Sequence, residues 1–429
     1  MQVFPKGPAT ILLLVALIAL LVVRGIVPAM SRVDSDFPGY YTAARIVATG
    51  ERTDRLYDIP WFQEQLRRYG FSEPSTGKFS PFPPPTALLL VPVASLAQLN
   101  ALRVVTGVSA LCLVASIVLL SRLLTWSAID SAIFVLLSGW AVHNSFRLGQ
   151  PYILVSLCCI LGYYAYLKGR PWSAGMFFGL LTPVKYFPVV MLVYFALRKQ
   201  WPVVIGGALT IALVTWLSIA VLGWRIHEQF LTSVLGNHLV ARLSMQDPFT
   251  ANFQSLDTLF RRLFVFDAIA NPRPLLDAPL LSEVGVLVTK AVILAATIAA
   301  LIRLGRVPQA TAPSIGLLGI LTLVLSPATA TYHFVLLWLP VGLLLDYLLR
   351  ERARACAYLM LGSYAVIGFL PYGQSARFEG RGGLTVLAYP RLFLMLAMLA
   401  VSVRCLWSRG EPAVTAQVGL RRARPDDAA

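Results

Sequence analysis

The chain has 429 residues, 57% of them hydrophobic and only 13% charged, with a mean hydropathy of +0.72. A soluble domain is nearer half apolar and a quarter charged, so too few polar side chains remain to cover a water-soluble globule of this size. The net charge of +16 does not indicate nucleic acid as a partner, because Lys and Arg punctuate apolar runs and form no long basic stripe.

The first apolar run, Pro8 to Val27, follows the lone Lys6. It is longer than the roughly 7–15 residues of a signal-peptide core and reads as a retained first span over 8–30, running inside to outside. Residues 31–84 then change character, with Asp34, Asp36, Glu51, Asp54, Asp58, Glu64 and Glu73 among interspersed Lys and Arg. Within this first outer loop, Tyr40–Thr49 and Trp61–Tyr69 are predicted as short amphipathic helices lying on the bilayer surface. Gly50, Pro60 and Gly70 bound them. The run Ser80-Pro81-Phe82-Pro83-Pro84-Pro85 closes the loop as a stiff extended stretch.

The piece 86–99 is short for a span and contains Pro92, which predicts a re-entrant or juxtamembrane half-helix covered by protein. Further apolar runs fall at 102–121, 128–143, 150–167, 172–183, 185–197, 201–223, 282–302, 311–325, 332–349, 355–371 and 389–407. Lys168 and Arg170, Arg198 and Lys199, Arg303 and Arg306, then Arg350, Arg352 and Arg354 follow such runs and mark cytoplasmic ends. The tail with Arg421, Arg422 and Arg424 fits the same side. Cytoplasmic charge on both flanks of 172–197 requires the chain to go out and return there, which puts Lys185 at the tip of a hairpin.

The expected fold class is therefore an all-α polytopic membrane protein with about twelve transmembrane helices and both termini inside. It forms one integral domain over 1–429. A membrane core spans 86–223, a second outer loop 224–281, C-terminal spans 282–407 and a cytoplasmic tail 408–429. The remaining outer segments are 143–150, 326–332 and 372–388. The five cysteines, Cys112, Cys158, Cys159, Cys356 and Cys405, all lie in apolar segments and read as small hydrophobes. With four histidines (His143, His227, His238, His333), a multi-His metal site is not expected. Soluble-enzyme motifs are absent, with no phosphate-binding Gly-rich loop before a helix and no G-x-S-x-G elbow, which counts against a donor of nucleotide type.

Polar residues gather instead at the outer ends of spans, where they cost several kcal/mol unless paired or used. Asp34 and Asp36 follow span 1, with Tyr40 and Tyr41 close behind. His143, Asn144, Arg147, Gly149 and Gln150 make the 143–150 loop. Lys185 sits between prolines, Asn252 and Gln254 close 251–256, and His333 begins a span. Each has a plainer reading: a loop acid or helix N-cap for Asp36, a snorkelling side chain for Lys185, a core histidine for His333. Asn144 and Gln150 could simply bond across helices. Their shared side is the functional signal.

The stretch Asp36-Phe37-Pro38-Gly39-Tyr40-Tyr41-Thr42-Ala43-Ala44, with Gly50 and Leu56-Tyr57-Asp58, resembles the first outer loop of glycosyltransferase family 87. The resemblance continues through Phe82-Pro83-Pro84-Pro85, His143-Asn144, Leu148-Gly149-Gln150-Pro151 and Lys185-Tyr186-Phe187-Pro188. It extends to Asn252-Phe253-Gln254-Ser255-Leu256 and Ser326-Pro327 with His333. Two places depart from it. Family members often carry Asn-Gln-Ser-Leu near Asn252, and many have a Trp and paired His around His333, where this chain has Thr331-Tyr332-His333-Phe334.

The resemblance implies a GT-C fold and an inverting transfer of a sugar, mannose or another hexose or pentose, from a polyprenyl-phosphate donor. The acceptor would be a glycolipid or glycan, and the active site would face outside on the plasma (inner) membrane. It implies an acidic general base at the end of span 1, the place Asp36 occupies. Lys185, with Arg147 second, would hold the donor phosphate, and His333 would orient the acceptor or contact the phosphate. Asp34, Tyr40, Tyr41, Asn144, Gln150 and Gln254 would line the sugar and acceptor site. No cofactor is expected, and a divalent metal on Asp34 and Asp36 is not favoured for want of further ligands. The competing expectations are a transporter or flippase of lipid-linked sugars, and an O-acyltransferase, for which His333 is the sole candidate, or a purely structural membrane subunit.

Overall fold

The structure, a computed structural model, describes residues 3–34, 36–71, 77–239, 247–304, 311–371, 373 and 376–407. Arg306 and the tail beyond 407 lie outside the described residues. Apart from one isolated bridge between Asp267 and Asn271, the described chain is helix and turn. Helix α1 runs Pro8–Ser31, with a proline in its first turn where no intrahelical N–H is needed. Its bounds agree with the expected first span to a residue.

Helices α2 (Phe37–Ala48) and α3 (Ile59–Arg68) follow. Both were expected on the bilayer surface, but α2 is not there: Phe37 to Ala44 are all buried. Residues 77–96 fold over it. Tyr41 Oη donates to the Leu96 carbonyl at 2.7 Å and Arg45 to the Ala94 carbonyl at 2.7 Å. These contacts and an aromatic cluster of Phe37, Tyr57, Phe62, Phe71 and Phe79 give the outer loop its own core. The predicted half-helix at 86–99 appears as two 3-10 turns, Pro84–Leu88 and Val91–Val93.

Next come α4 (Gln98–Leu124), α5 (Ala128–Leu136), α6 (Trp140–Arg147) and α7 (Tyr152–Leu167). The expected 143–150 loop is mostly the end of α6. The chain turns by 118° into α7 through Gly149, whose φ of 61° lies in the left-handed region. A Cβ on Gly149 would also meet the Phe37 ring at 2.6 Å.

Helices α8 (Pro171–Leu180) and α9 (Val189–Leu197) are the two arms of the predicted hairpin, and α10 (Trp201–Leu222) packs back on them. Small residues permit close approach between helices in lipid. A Cβ on Gly175 would overlap the Val203 carbonyl, and one on Gly179 the Gly207 carbonyl. Gly175→Val should therefore wedge α8 from α10 and cost about 3 kcal/mol or more. A lowered melting temperature of the detergent-purified protein would report it, and an unchanged one would refute the packing argument.

A helical segment, α11, covers 224–239. It is followed by α12 (Leu256–Phe264), α13 (Pro279–Leu304), α14 (Thr311–Leu325), α15 (Thr331–Arg350), α16 (Arg354–Phe369) and α17 (Pro390–Trp407). Cys356 on α16 and Cys405 on α17 bring their sulfurs together where the two helices pack. Cys112, Cys158 and Cys159 are free and buried.

Among the described residues, five helices (α1, α4, α10, α13 and α15) are long and apolar enough to cross a membrane, or seven segments if two bent pairs each count as one. The expected dozen also counts shorter apolar helices such as α14 and α16. In α13 only 11% of the apolar stretch is buried, and Leu287 and Val292 are 69% and 62% exposed. A monomer in water does not sustain an apolar surface of that extent; lipid covers it.

Candidate active site

Four breaks in the apolar helices meet at one cleft. They are the exit of α1 into α2, the α6–α7 turn, the α8–α9 tip and the 326–333 approach to α15. Backbone freed at such breaks must be satisfied by protein or water, which concentrates polar groups at this level. The cleft encloses about 750 Å³, its open mouth included.

Asp36 occupies the N-cap position of α2, where a carboxylate usually accepts from the first-turn amides. Its side chain makes no such bond. Instead Gln150 Nε2 donates to Asp36 Oδ2 at 2.7 Å, so the N-cap alternative does not describe this residue. Gln150, 1% exposed, accepts on Oε1 from Tyr40 Oη at 2.8 Å. Tyr40 Oη in turn accepts from Lys185 Nζ at 3.0 Å. Three rings surround the ammonium, with centroids at 4.1 Å (Phe82), 5.2 Å (Tyr152) and 5.4 Å (Tyr40).

Burying an ammonium costs several kcal/mol, while a desolvated cation–π contact returns about 2 kcal/mol. The cost prevails in part: burial pushes Lys185 down to about 7, against the opposing pull of Asp36. The snorkelling alternative fails, since Lys185 is 6% exposed and points inward. Lys78, from the end of the outer loop, is the second cation lining the cleft. Burial lowers it to about 8, again with Asp36 opposing. Two ammonium groups against one carboxylate leave the cleft at +1 when all three are charged.

His333 lines the same cleft. Its Nδ1 accepts from the Ala330 amide at 3.1 Å, which leaves Nε2–H as the donor of the neutral ring. Tyr152, Phe187 and Tyr332 pack around it at centroid distances of 4.7, 5.2 and 4.9 Å. On the facing wall, Tyr186 Oη and His238 Nε2 are 2.8 Å apart.

Thus Asp36, Lys185 and His333 converge, with Tyr40 and Gln150 linking the first two. The others lie elsewhere. Arg147 Nε pairs with Asp34 Oδ2 at 2.8 Å, and neither lines the cleft. Tyr41 is spent on the Leu96 carbonyl, and Asn144 lies half-buried on α6, off the lining. Gln254 is a clasp: Nε2 donates to the Ala251 and Ala388 carbonyls, and Oε1 accepts from the Arg391 amide. Its neighbour Phe253 reaches the cleft instead. Asp34 and Asp36, the two acids considered for a hard cation, engage different partners. No group of three or more His, Cys, Asp or Glu side chains converges among the described residues.

Sequence reasoning missed Lys78, Tyr152, Tyr186, Tyr332 and His238 as lining residues. Tyr186 adjoins Lys185, and Lys78 directly precedes the proline-rich re-entry; both positions were signals. His238 had none, because α11 brings it to the cleft from the second outer loop.

Lipid-facing helices around a cleft with a carboxylate, two ammonium groups and an aromatic wall define a polytopic membrane protein with a polar site. The model of glycosyltransferase family 87 matches residues 81–327, more than half of the chain. The chain belongs to that family and is a membrane glycosyltransferase. No curated protein matches it. The match takes in Phe82, Gln150 and Lys185 and stops short of Asp36 and His333.

Proposed function

We propose that the protein moves one sugar from a polyprenyl-phosphate donor to a hydroxyl of a lipid or glycan acceptor, with inversion, on the outer face of the plasma (inner) membrane. The carrying observation is the facing of Asp36 and Lys185 across one cleft, joined through Gln150 and Tyr40. The acceptor oxygen attacks the anomeric carbon as its proton passes to Asp36. The bond from that carbon to the phosphate oxygen breaks, and polyprenyl phosphate leaves with the electron pair. Lys185 and Lys78 take the charge that develops there, in a water-poor setting where such donors act strongly. The Nε2–H of His333 donates to the phosphate or the acceptor oxygen. The prenyl tail lies along apolar helix faces, at about 0.8 kcal/mol per buried CH₂.

Charge supports an outward site. Helices α7 and α15 each start at the cleft and end at basic residues, Lys168 and Arg350, which belong inside. Among donor sugars, mannose and other hexoses or pentoses fit this chemistry.

The test is transfer by the purified protein in lipid, with radiolabelled polyprenyl-phosphate sugars and a membrane extract as acceptor. Label entering a new lipid or polymer is expected. Lipid-linked sugar crossing the bilayer of proteoliposomes, with no donor consumed, would sink the proposal in favour of a transporter.

A further inference from the structure

We infer that Tyr40 and Gln150 are positioning residues, not sugar contacts: they form a directed hydrogen-bond chain that holds the Asp36 base in register with the Lys185 phosphate site. The inference rests on the proposed transfer reaction and deepens it.

The direction of the chain is forced. An ammonium only donates, so Tyr40 Oη accepts from Lys185 and must spend its own proton elsewhere. Gln150 Oε1 takes that proton at 2.8 Å, which turns the amide nitrogen toward Asp36 at 2.7 Å. The opposite amide orientation would set a carbonyl oxygen against a carboxylate and waste the tyrosine proton, so neighbours fix the flip. Every donor thus points from cation to anion, and such aligned bonds reinforce one another. Tyr40 and Gln150 are 2% and 1% exposed, so the chain runs behind the cleft wall. Lys185 keeps two further N–H groups for a phosphate while it holds Tyr40. Packing fixes the frame as well: the Tyr40 ring stacks on Phe82 at 4.4 Å, and Gly149 seats the α6–α7 turn on Phe37.

Two isosteric variants read the chain. Tyr40→Phe keeps the ring and breaks the middle link; Gln150→Met keeps the length and removes both bonds. Each should lower kcat by roughly 10- to 100-fold with little change in donor KM, because a misplaced base costs turnover and not ground-state binding. The double variant should lose no more than the worse single one, since a chain broken once is broken. In Gln150→Met the acid limb of the kcat profile should move to higher pH, because the carboxylate loses a donor that favours its charged form. Lys78, His238, Tyr152, Tyr332 and His333, which also face this space, are unaltered in both variants.

A raised donor KM with kcat unmoved would make these residues sugar contacts and overturn the inference. Losses that multiply in the double variant would do the same. If Gln150→Met fails to fold, Tyr40→Phe, which lacks one hydroxyl, carries the test. Full activity in Asp36→Asn would bring down the underlying reading and this inference with it. A dead Asp36→Asn beside unaffected Tyr40→Phe and Gln150→Met would overturn the inference alone.

Discussion

Asp36→Asn is expected to lose about 10²–10⁴ of kcat, the range a positioned general base contributes and about 3–5 kcal/mol of barrier. The side chain keeps its shape and can still accept from Gln150 Nε2, so the cleft wall should survive. What disappears is the proton acceptor and a negative charge. The cleft then rises from +1 to +2 with Lys78 and Lys185 protonated, which favours binding of an anionic donor. The expected signature is therefore a collapsed kcat with donor KM unchanged or lower. Turnover of radiolabelled donor in proteoliposomes measures both. Near-wild-type kcat would remove Asp36 from the chemistry, and a raised KM with intact kcat would recast it as a binding residue.

How much of this was legible in the sequence depends on the range of the force involved. Span 1 is local: an unbroken apolar run beginning at Pro8 fixes α1 to within a residue. The Lys185 hairpin was legible too, because charge on both flanks and prolines at 183 and 188 act on the same short stretch. The dozen spans were harder, since the apolar run 128–143 does not reveal that Gly139, with a φ of 48°, breaks it into the short helices α5 and α6. Helix α2 was misplaced for a non-local reason: its amphipathic pattern suits a membrane surface, and only residues 77–96 folding over it bury both faces. Gln254 and Arg147 each looked like ligand contacts because they lie on the same side as Asp36. Contacts distant in sequence claim them instead: Arg391 and Ala388 for the one, Asp34 for the other. The Cys356–Cys405 pair is 49 residues apart and had no spacing signal. The gathering of polar groups where apolar helices break was thus readable, whereas the final partner of each polar atom was not.

Lys185→Met should separate function from stability. Loss of the ammonium removes charge stabilisation of the leaving phosphate, and about 10²–10³ of activity should go with it, as for other preorganised donors in a dry site. Yet the buried cation is held at a cost, since burial drives it down to about 7. Removing a charge that burial disfavours also removes that cost from folding. The variant should therefore melt at or above the wild-type temperature in the same detergent while transferring little sugar. The pH dependence has a definite sign. The protonated lysine binds phosphate, so kcat/KM should fall as pH rises through about 7, with Lys78, lowered to about 8, extending the decline. A bound phosphate favours the charged form, so the same limb in kcat should lie at higher pH than in kcat/KM. Lys185→Arg stays charged throughout this range and should move the basic limb upward, with reduced turnover because a planar guanidinium does not replace a point charge among three rings. If Lys185→Met lost stability and activity together, the residue would be a structural member of the cleft wall. An unshifted basic limb in Lys185→Arg would assign the titration to Lys78.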